Sequence, residues 1–178
     1  MTYDFRSDPI LGAAYDYWQT KRGERVMPGR RDIDPVEMPR RLLPNLQITE
    51  VVDGGMRFRY RLTGTAVVEA YGAPLTGLFY DQLFSGERLR RIEANLRRVC
   101  GEKQPVLVCN QYHSSRDVEL LCARVILPLS DDGSTVSQFL MAMSFHFPGA
   151  AHQWRGEWFG NDGTLDFGKS YERIIQPA

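Results

Sequence analysis

The chain has 178 residues, of which 43% are hydrophobic and 25% charged, with 22 lysines and arginines against 22 aspartates and glutamates. This is the size and composition of one folded domain, and it excludes a mainly disordered, collagen-like or disulfide-scaffold chain. A net charge of zero supplies no overall field for phosphates or anionic lipid, so nucleic acid is not an expected partner.

Asp8 before Pro9 predicts a helix start, an N-cap acceptor followed by a ring already set to helical φ. The helix runs to about Arg22. Leu11, Ala14, Tyr15 and Trp18 form its apolar stripe, and Gly23 is placed to end it. KRGERVMPGRRDIDP then reads as an extended polar connector. Asp34, Pro35 and Glu37 predict a capped helix, which Pro39 and Pro44 keep short.

LQITEVV and MRFRYRLT flank Asp53, Gly54 and Gly55 and predict a hairpin of two strands. In the second, Phe58, Tyr60 and Leu62 alternate with Arg57, Arg59 and Arg61, so one face is apolar and the other basic. Three cations in a row roughly 7 Å apart call for acids, and Asp32, Asp34 and Glu50 are the expected answers, clamping the connector to the sheet. From Gly64 to Gly101 the period becomes helical, with a short helix over 66–71, a turn at PLTG and a longer helix over 86–100. The longer helix buries Leu89, Ile92, Leu96 and Val99, ends at Gly101 and carries a solvated face of arginines. Three strands follow, over 105–113, 118–129 and 136–147, as a meander joined by SSRD and DDGS. After Pro148 the sequence has no clear period and reads as a tail.

This order predicts an α+β fold. A five-stranded antiparallel sheet has helices gathered on one face, the last strand closes beside the first, and an N-terminal helix and a C-terminal tail are added. The expected division is 1–44 for the helix and connector, 45–147 for the core and 148–178 for the tail.

The run from Trp18 through KRGERVMPGRRDIDP, then FRYRLTGT and YGAPLTG, resembles the single-domain PAS family common in alphaproteobacteria. Lys21, Arg22, Gly23, Pro28, Arg31, Asp32, Ile33, Asp34, Pro35, Arg59, Tyr60, Arg61, Gly64, Thr65, Thr76 and Gly77 carry the resemblance. It implies a PAS-like fold used for sensing or signalling, often without an attached output domain, and brings no ligand or catalytic residue with it.

No constellation points to an enzyme. His113, His146 and His152 lack metal spacing, and GxSxG, Walker A and a GxGxxG between strand and helix are absent. Heme through one axial histidine would need a ring aimed into the pocket, and neither His113 nor His146 is well placed. Flavin photochemistry would need a thiol on the helical wall, whereas Cys109 and Cys122 fall on strands and Cys100 on a helix end. No cofactor is named by these residues. An odd number of cysteines without CxxC spacing reads as reduced thiols. With no apolar leader and no run of roughly 20 apolar residues, the chain is expected in the cytoplasm without membrane insertion.

The expected pocket lies between sheet and helices. Phe139, Met141, Met143 and Phe145 share one face of the last strand and Leu121, Ala123, Val125 and Leu127 one face of the strand before; Tyr60, Leu62 and Tyr71 join them. Tyr60, Leu62, Tyr71, Leu121, Ala123, Met141 and Met143 are therefore the candidate ligand-binding residues, although the same set would equally make a filled core. The sheet's other face carries Leu120, Cys122, Ile126, Leu140 and Ala142, and covering it with the N-terminal helix, within or between subunits, suggests a homodimer. The functional expectation is a non-enzymatic sensory or regulatory domain that binds a small apolar or amphipathic ligand, a signalling protein partner, or both. An isomerase or hydratase on an α+β pocket and a ligand-free interaction module are the alternatives.

Overall fold

The computed structural model describes residues 4–113, 119–146 and 171–174, with side chains for all of these except 111–113, 119–121, 146 and 171–174. Helix α1 spans Leu11–Arg22. Its entry turn is held by Asp8 Oδ1, which accepts the N–H groups of Ile10 at 2.8 Å and Leu11 at 2.9 Å. Gly23 closes it at φ 58°, a conformation that favours glycine. The aromatic stripe is buried within the chain, Trp18 completely, and the Trp18 indole donates to the Pro128 carbonyl at 2.8 Å. That bond lets the largest ring of the core be buried without an orphaned donor.

The connector differs from expectation. No helix starts at Asp34. The carboxylate instead accepts the Val36 N–H at 2.9 Å, tight turns close from Glu37 N–H to Asp34 carbonyl and from Met38 N–H to Pro35 carbonyl, and a 3-10 turn follows over Arg40–Asn45. Pro39 and Pro44 remove donors that a continuous α-helix here would need.

Strands β1 (Leu46–Val52) and β2 (Arg57–Thr63) form the hairpin around Asp53, Gly54 and Gly55, all three at positive φ. Their register slips by one residue: Ile48 faces Leu62 and Thr49 faces Tyr60, leaving Arg61 as an extra residue. This bulge inverts the alternation beyond it. Helix α2 covers Thr65–Tyr71, α3 Tyr80–Leu83 and α4 Gly86–Glu102. The four-residue α3 has too little sequence to show a period. Helix α4 runs past Gly101 and ends at Lys103, which takes the left-handed conformation and donates its N–H to Val99.

Strands β3 (Val106–His113), β4 (Glu119–Leu129) and β5 (Gln138–His146) complete the antiparallel meander, with β5 beside β1. The five-stranded α+β sheet is the fold, in the order foreseen. A sixth strand, β6 (Tyr171–Ile174), extends it along β3, giving β2-β1-β5-β4-β3-β6. Helix α4 packs on β4 and α3 on β2, whereas α1 packs on β4 and β5. The sheet thus has an inner face toward α4 and an outer face toward α1, and one buried cluster joins Phe5 and Trp18 to the strands.

The basic strand is answered differently from expectation. Glu50 pairs with Arg59, as the sequence suggested, but Arg57 makes two bonds of 2.7 Å to Asp81 and lies 3.7 Å over the Phe79 ring. Asp32 goes to Arg25 instead. Among the described residues no ion pair clamps the connector to β2, and Lys21 of α1 pairs with Glu37 of the connector. Along α4 the arginines pair with Glu87, Glu93 and Glu102 one turn away, as a solvated face does.

Candidate functional site

The inner face is polar at its centre. The Tyr60 and Tyr80 rings stack with centroids 4.3 Å apart and planes 4° from parallel. Gln47 Nε2 donates to the Tyr80 hydroxyl at 2.6 Å and to Thr49 Oγ1 at 2.7 Å, and the two hydroxyls lie 2.9 Å apart. Gln47 and Thr49 are wholly buried. Burial pushes the Tyr80 phenol up to about 12, and burial likewise raises Tyr60 and Tyr71, the positive charge of Arg124 opposing it in all three. Arg124 donates to Asn110 Oδ1 at 2.8 Å. The cavity among Tyr80, Asn95, Asn110, Arg124, Ile126 and Met141 measures about 10 Å³, the space of one water molecule.

The outer face carries a larger space. The β-sheet register sets Leu62, Ile48 and Leu140 side by side across β2, β1 and β5. With Leu46 they form the floor of a groove of about 350 Å³; Ile33, Pro35 and Met38 of the connector make one wall and Leu43 and Pro44 the other. Arg30 completes the lining on the connector side. Gly64 lets the second wall close on β2, because a Cβ there would lie 2.3 Å from the Pro44 carbonyl oxygen.

Besides the shared apolar cluster that holds Ile33, Met38 and the α1 stripe, polar contacts tie the connector wall to α1. The Tyr17 hydroxyl accepts the Asp34 N–H at 2.9 Å and donates to the Asp34 carbonyl at 3.1 Å. Lys21 pairs with Glu37, and Arg25 Nη1 meets Asp32 Oδ2 at 2.8 Å. The Asp32 carboxylate also accepts the Gly29 N–H, and that bond above all holds it below the usual carboxylate range. Ser130 N–H donates to Pro28, tying the start of the connector to the end of β4.

The PAS domain family matches residues 7–144, most of the chain. The chain belongs to the PAS domain family. A search of curated proteins finds no match. Among solved structures, the LOV protein of Rhodobacter sphaeroides is similar at 12% identity and a TM-score of 0.45, over 57% of this chain and 58% of that one. The light state of the photoreceptor Aureochrome1 LOV is similar at 13% identity and 0.46, over 60% and 84%. The VqmA–ligand–DNA complex of Vibrio cholera is similar at 11% and 0.46, over 58% and 46%. This PAS domain thus spans just over half the length of the Rhodobacter chain. No helix among the described residues is long and apolar enough to cross a membrane.

Of the residues singled out from sequence, Tyr60, Tyr71, Met141 and Met143 lie on the inner side, and Met141 lines its small cavity. Several facings are corrected. Leu62 is turned outward by the bulge at Arg61 and lies in the outer groove. Ala123 also faces outward, as do Val125 and Leu127: β5 sets Met141 opposite Ile126 and Met143 opposite Arg124, so it is the even-numbered residues of β4 that share the inner face. Leu121 holds the same register phase as Ala123, and its side chain lies outside the described set. For the same reason Cys122 and Ile126 belong to the inner face, while Leu140 and Ala142 face outward as expected.

His113 and His146 fall on strands with their side chains outside the described set, and His152 lies outside the described residues. Among the described residues no three His, Cys, Asp or Glu side chains gather to hold a metal ion. The Cys100 thiol is pushed up to about 11 by burial, and Cys109 and Cys122 are buried in strands. Sequence reasoning missed Gln47, Thr49, Asn110 and Arg124 as inner-face residues. The signal for two of them was present, since Gln47 and Thr49 alternate with Leu46 and Ile48 on one strand.

Proposed function

We propose that this PAS domain is a cytoplasmic sensory or regulatory module, non-catalytic, that binds a small apolar or amphipathic molecule in the outer groove. One observation carries the reading: the space on the outer face is about 350 Å³ and lined mostly by leucine, isoleucine, methionine and proline, with Arg30, Thr63 and Thr65 as its polar members, whereas the inner cavity is about 10 Å³. Small-molecule sites are concave, mostly apolar and of roughly 300–1,000 Å³. The inner cavity has no room for a ring system such as a flavin, and the groove lining offers no acid/base pair for an isomerase or hydratase.

Signalling follows from the walls. A ligand lodged between the sheet and residues 33–38 favours one position of the connector, and the connector is fastened to α1 through Tyr17 and Lys21. Occupancy therefore biases the packing of α1, the element a signalling protein would read. The test is binding of decanol, a neutral apolar probe, by the full chain and by Leu62→Trp. Leu62 is 43% exposed, so the larger ring fills the groove with little demand on the core. Saturable binding lost in Leu62→Trp supports the reading; undiminished binding in the variant refutes it.

A second reading is association without a ligand. It is supported by the apolar lip of the groove, where Val36 is 91% exposed and Leu43 38%. A homodimer would use this lip, since the stripe of α1 is already buried within its own chain. Light scattering decides it: a dimer that Val36→Asp makes monomeric supports this second reading, and a monomer at all concentrations removes it.

A further inference from the structure

We infer that the groove ligand is an amphipathic organic anion, a single-chain carboxylate whose tail lies on Leu46, Ile48, Leu62 and Leu140 and whose head meets Arg30; this rests on the reading of the groove as a ligand site. The lining is apolar except for Thr63, Thr65 and Arg30, and Arg30 is the one charged residue in it. The residue is half-buried, and its Nη1 donates to the carbonyl of Ile33, itself a lining residue, at 3.0 Å, which holds the guanidinium beside the groove.

The carboxylates nearby in sequence are committed elsewhere. Asp32 Oδ2 takes Arg25 and the Gly29 N–H, Asp34 Oδ1 takes the Val36 N–H, and Glu37 takes Lys21. Among the described residues no ion pair includes Arg30. A fixed cation beside an apolar trough complements a molecule with one negative end and a hydrocarbon body, because a carboxylate forms charge-assisted bonds to guanidinium while the tail leaves water. At roughly 30 Å³ per small group, the share a water molecule takes in liquid, the groove holds on the order of ten to twelve heavy atoms. That matches a medium-chain acid and is too small for a two-chain phospholipid.

The experiment is calorimetric titration of the full chain with decanoate and with decanol, repeated on Arg30→Gln and Arg30→Lys. The wild type is expected to bind decanoate roughly tenfold or more tighter than decanol, the effect of one charge-assisted contact. Arg30→Gln should lose that preference and keep decanol, and Arg30→Lys should retain part of it. Equal affinities in the wild type, or an undiminished preference in Arg30→Gln, overturn the assignment of the head group while the groove reading stands. Binding of neither molecule overturns both. Co-sedimentation with phosphatidylglycerol vesicles that depends on Arg30 would assign the cation to a membrane surface and overturn the proposal for a free acid.

Discussion

The Tyr17 hydroxyl and the Asp34 backbone exchange two hydrogen bonds, the hydroxyl accepting from the N–H at 2.9 Å and donating to the carbonyl at 3.1 Å. A side chain on α1 thereby pairs the backbone of the residue between Ile33 and Pro35 of the groove wall. Tyr17 is the point at which the first helix and the candidate ligand site touch most specifically.

Tyr17→Phe keeps the ring and removes both bonds. About 1–2 kcal/mol of stability should be lost, and amide exchange should accelerate over residues 33–38 while the strands keep their protection. Hydrogen exchange by mass spectrometry measures this directly. Unchanged exchange in the connector would show that α1 and the groove wall are not coupled there.

Two glycines should respond in opposite directions. At Gly64 an added Cβ would meet the Pro44 and Leu43 carbonyl oxygens at 2.3 and 2.4 Å, so Gly64→Ala must push the 40–45 turn off β2 and should cost at least 1–3 kcal/mol. At Gly101 a Cβ meets nothing within 4 Å on an exposed stretch of α4, and Gly101→Ala should stabilise by about 1 kcal/mol from helix propensity. Denaturant unfolding of the two variants checks both signs.

The inner face gives a prediction at high pH. The Tyr80 phenol is raised to about 12 in the folded chain from an ordinary value near 10, so folding favours its protonated form. The stability this represents is fully present below about pH 10 and is lost as the pH rises from there through about 12. Absorbance near 295 nm should show a tyrosine that ionises only with alkaline unfolding. The Tyr80→Phe variant should show one tyrosine fewer in that late step, Tyr60 and Tyr71 also being raised by burial, and should lose about 1–3 kcal/mol at neutral pH, because Gln47 and Thr49 lose their shared partner. An ionisation complete by pH 10 in the folded protein would contradict the buried network.

Much of the fold could be read from residue periods. The stripe of Leu11, Ala14, Tyr15 and Trp18, the Asp-Gly-Gly hairpin and the meander all follow local rules, and the order of β5 beside β1 follows from short connections. The candidate site was less legible, for two physical reasons. Alternation fixes which residues share a face only while the register holds; the bulge at Arg61 moved Leu62 across the sheet, and β4 allowed either phase because Leu121, Cys122, Ala123 and Val125 are apolar on both sides. The groove itself is made by chain segments distant in sequence, 30–38, 43–46, 62–65 and Leu140, which no local pattern brings together. Asp32 and Asp34 were noticed for their charge, yet Asp32 meets Arg25 on the preceding loop rather than the arginines of β2, and the Asp34 carboxylate caps the Val36 N–H.

The central claim is that the ligand site of this PAS domain lies on the outer face of the sheet and not between sheet and helices. Methyl-resolved NMR during a decanol titration tests it most directly. The account predicts shifts that saturate together at Ile33, Met38, Leu62 and Leu140, with Ile126, Met141 and Met143 unmoved. Saturating shifts at the inner-face methyls with a silent groove would contradict it.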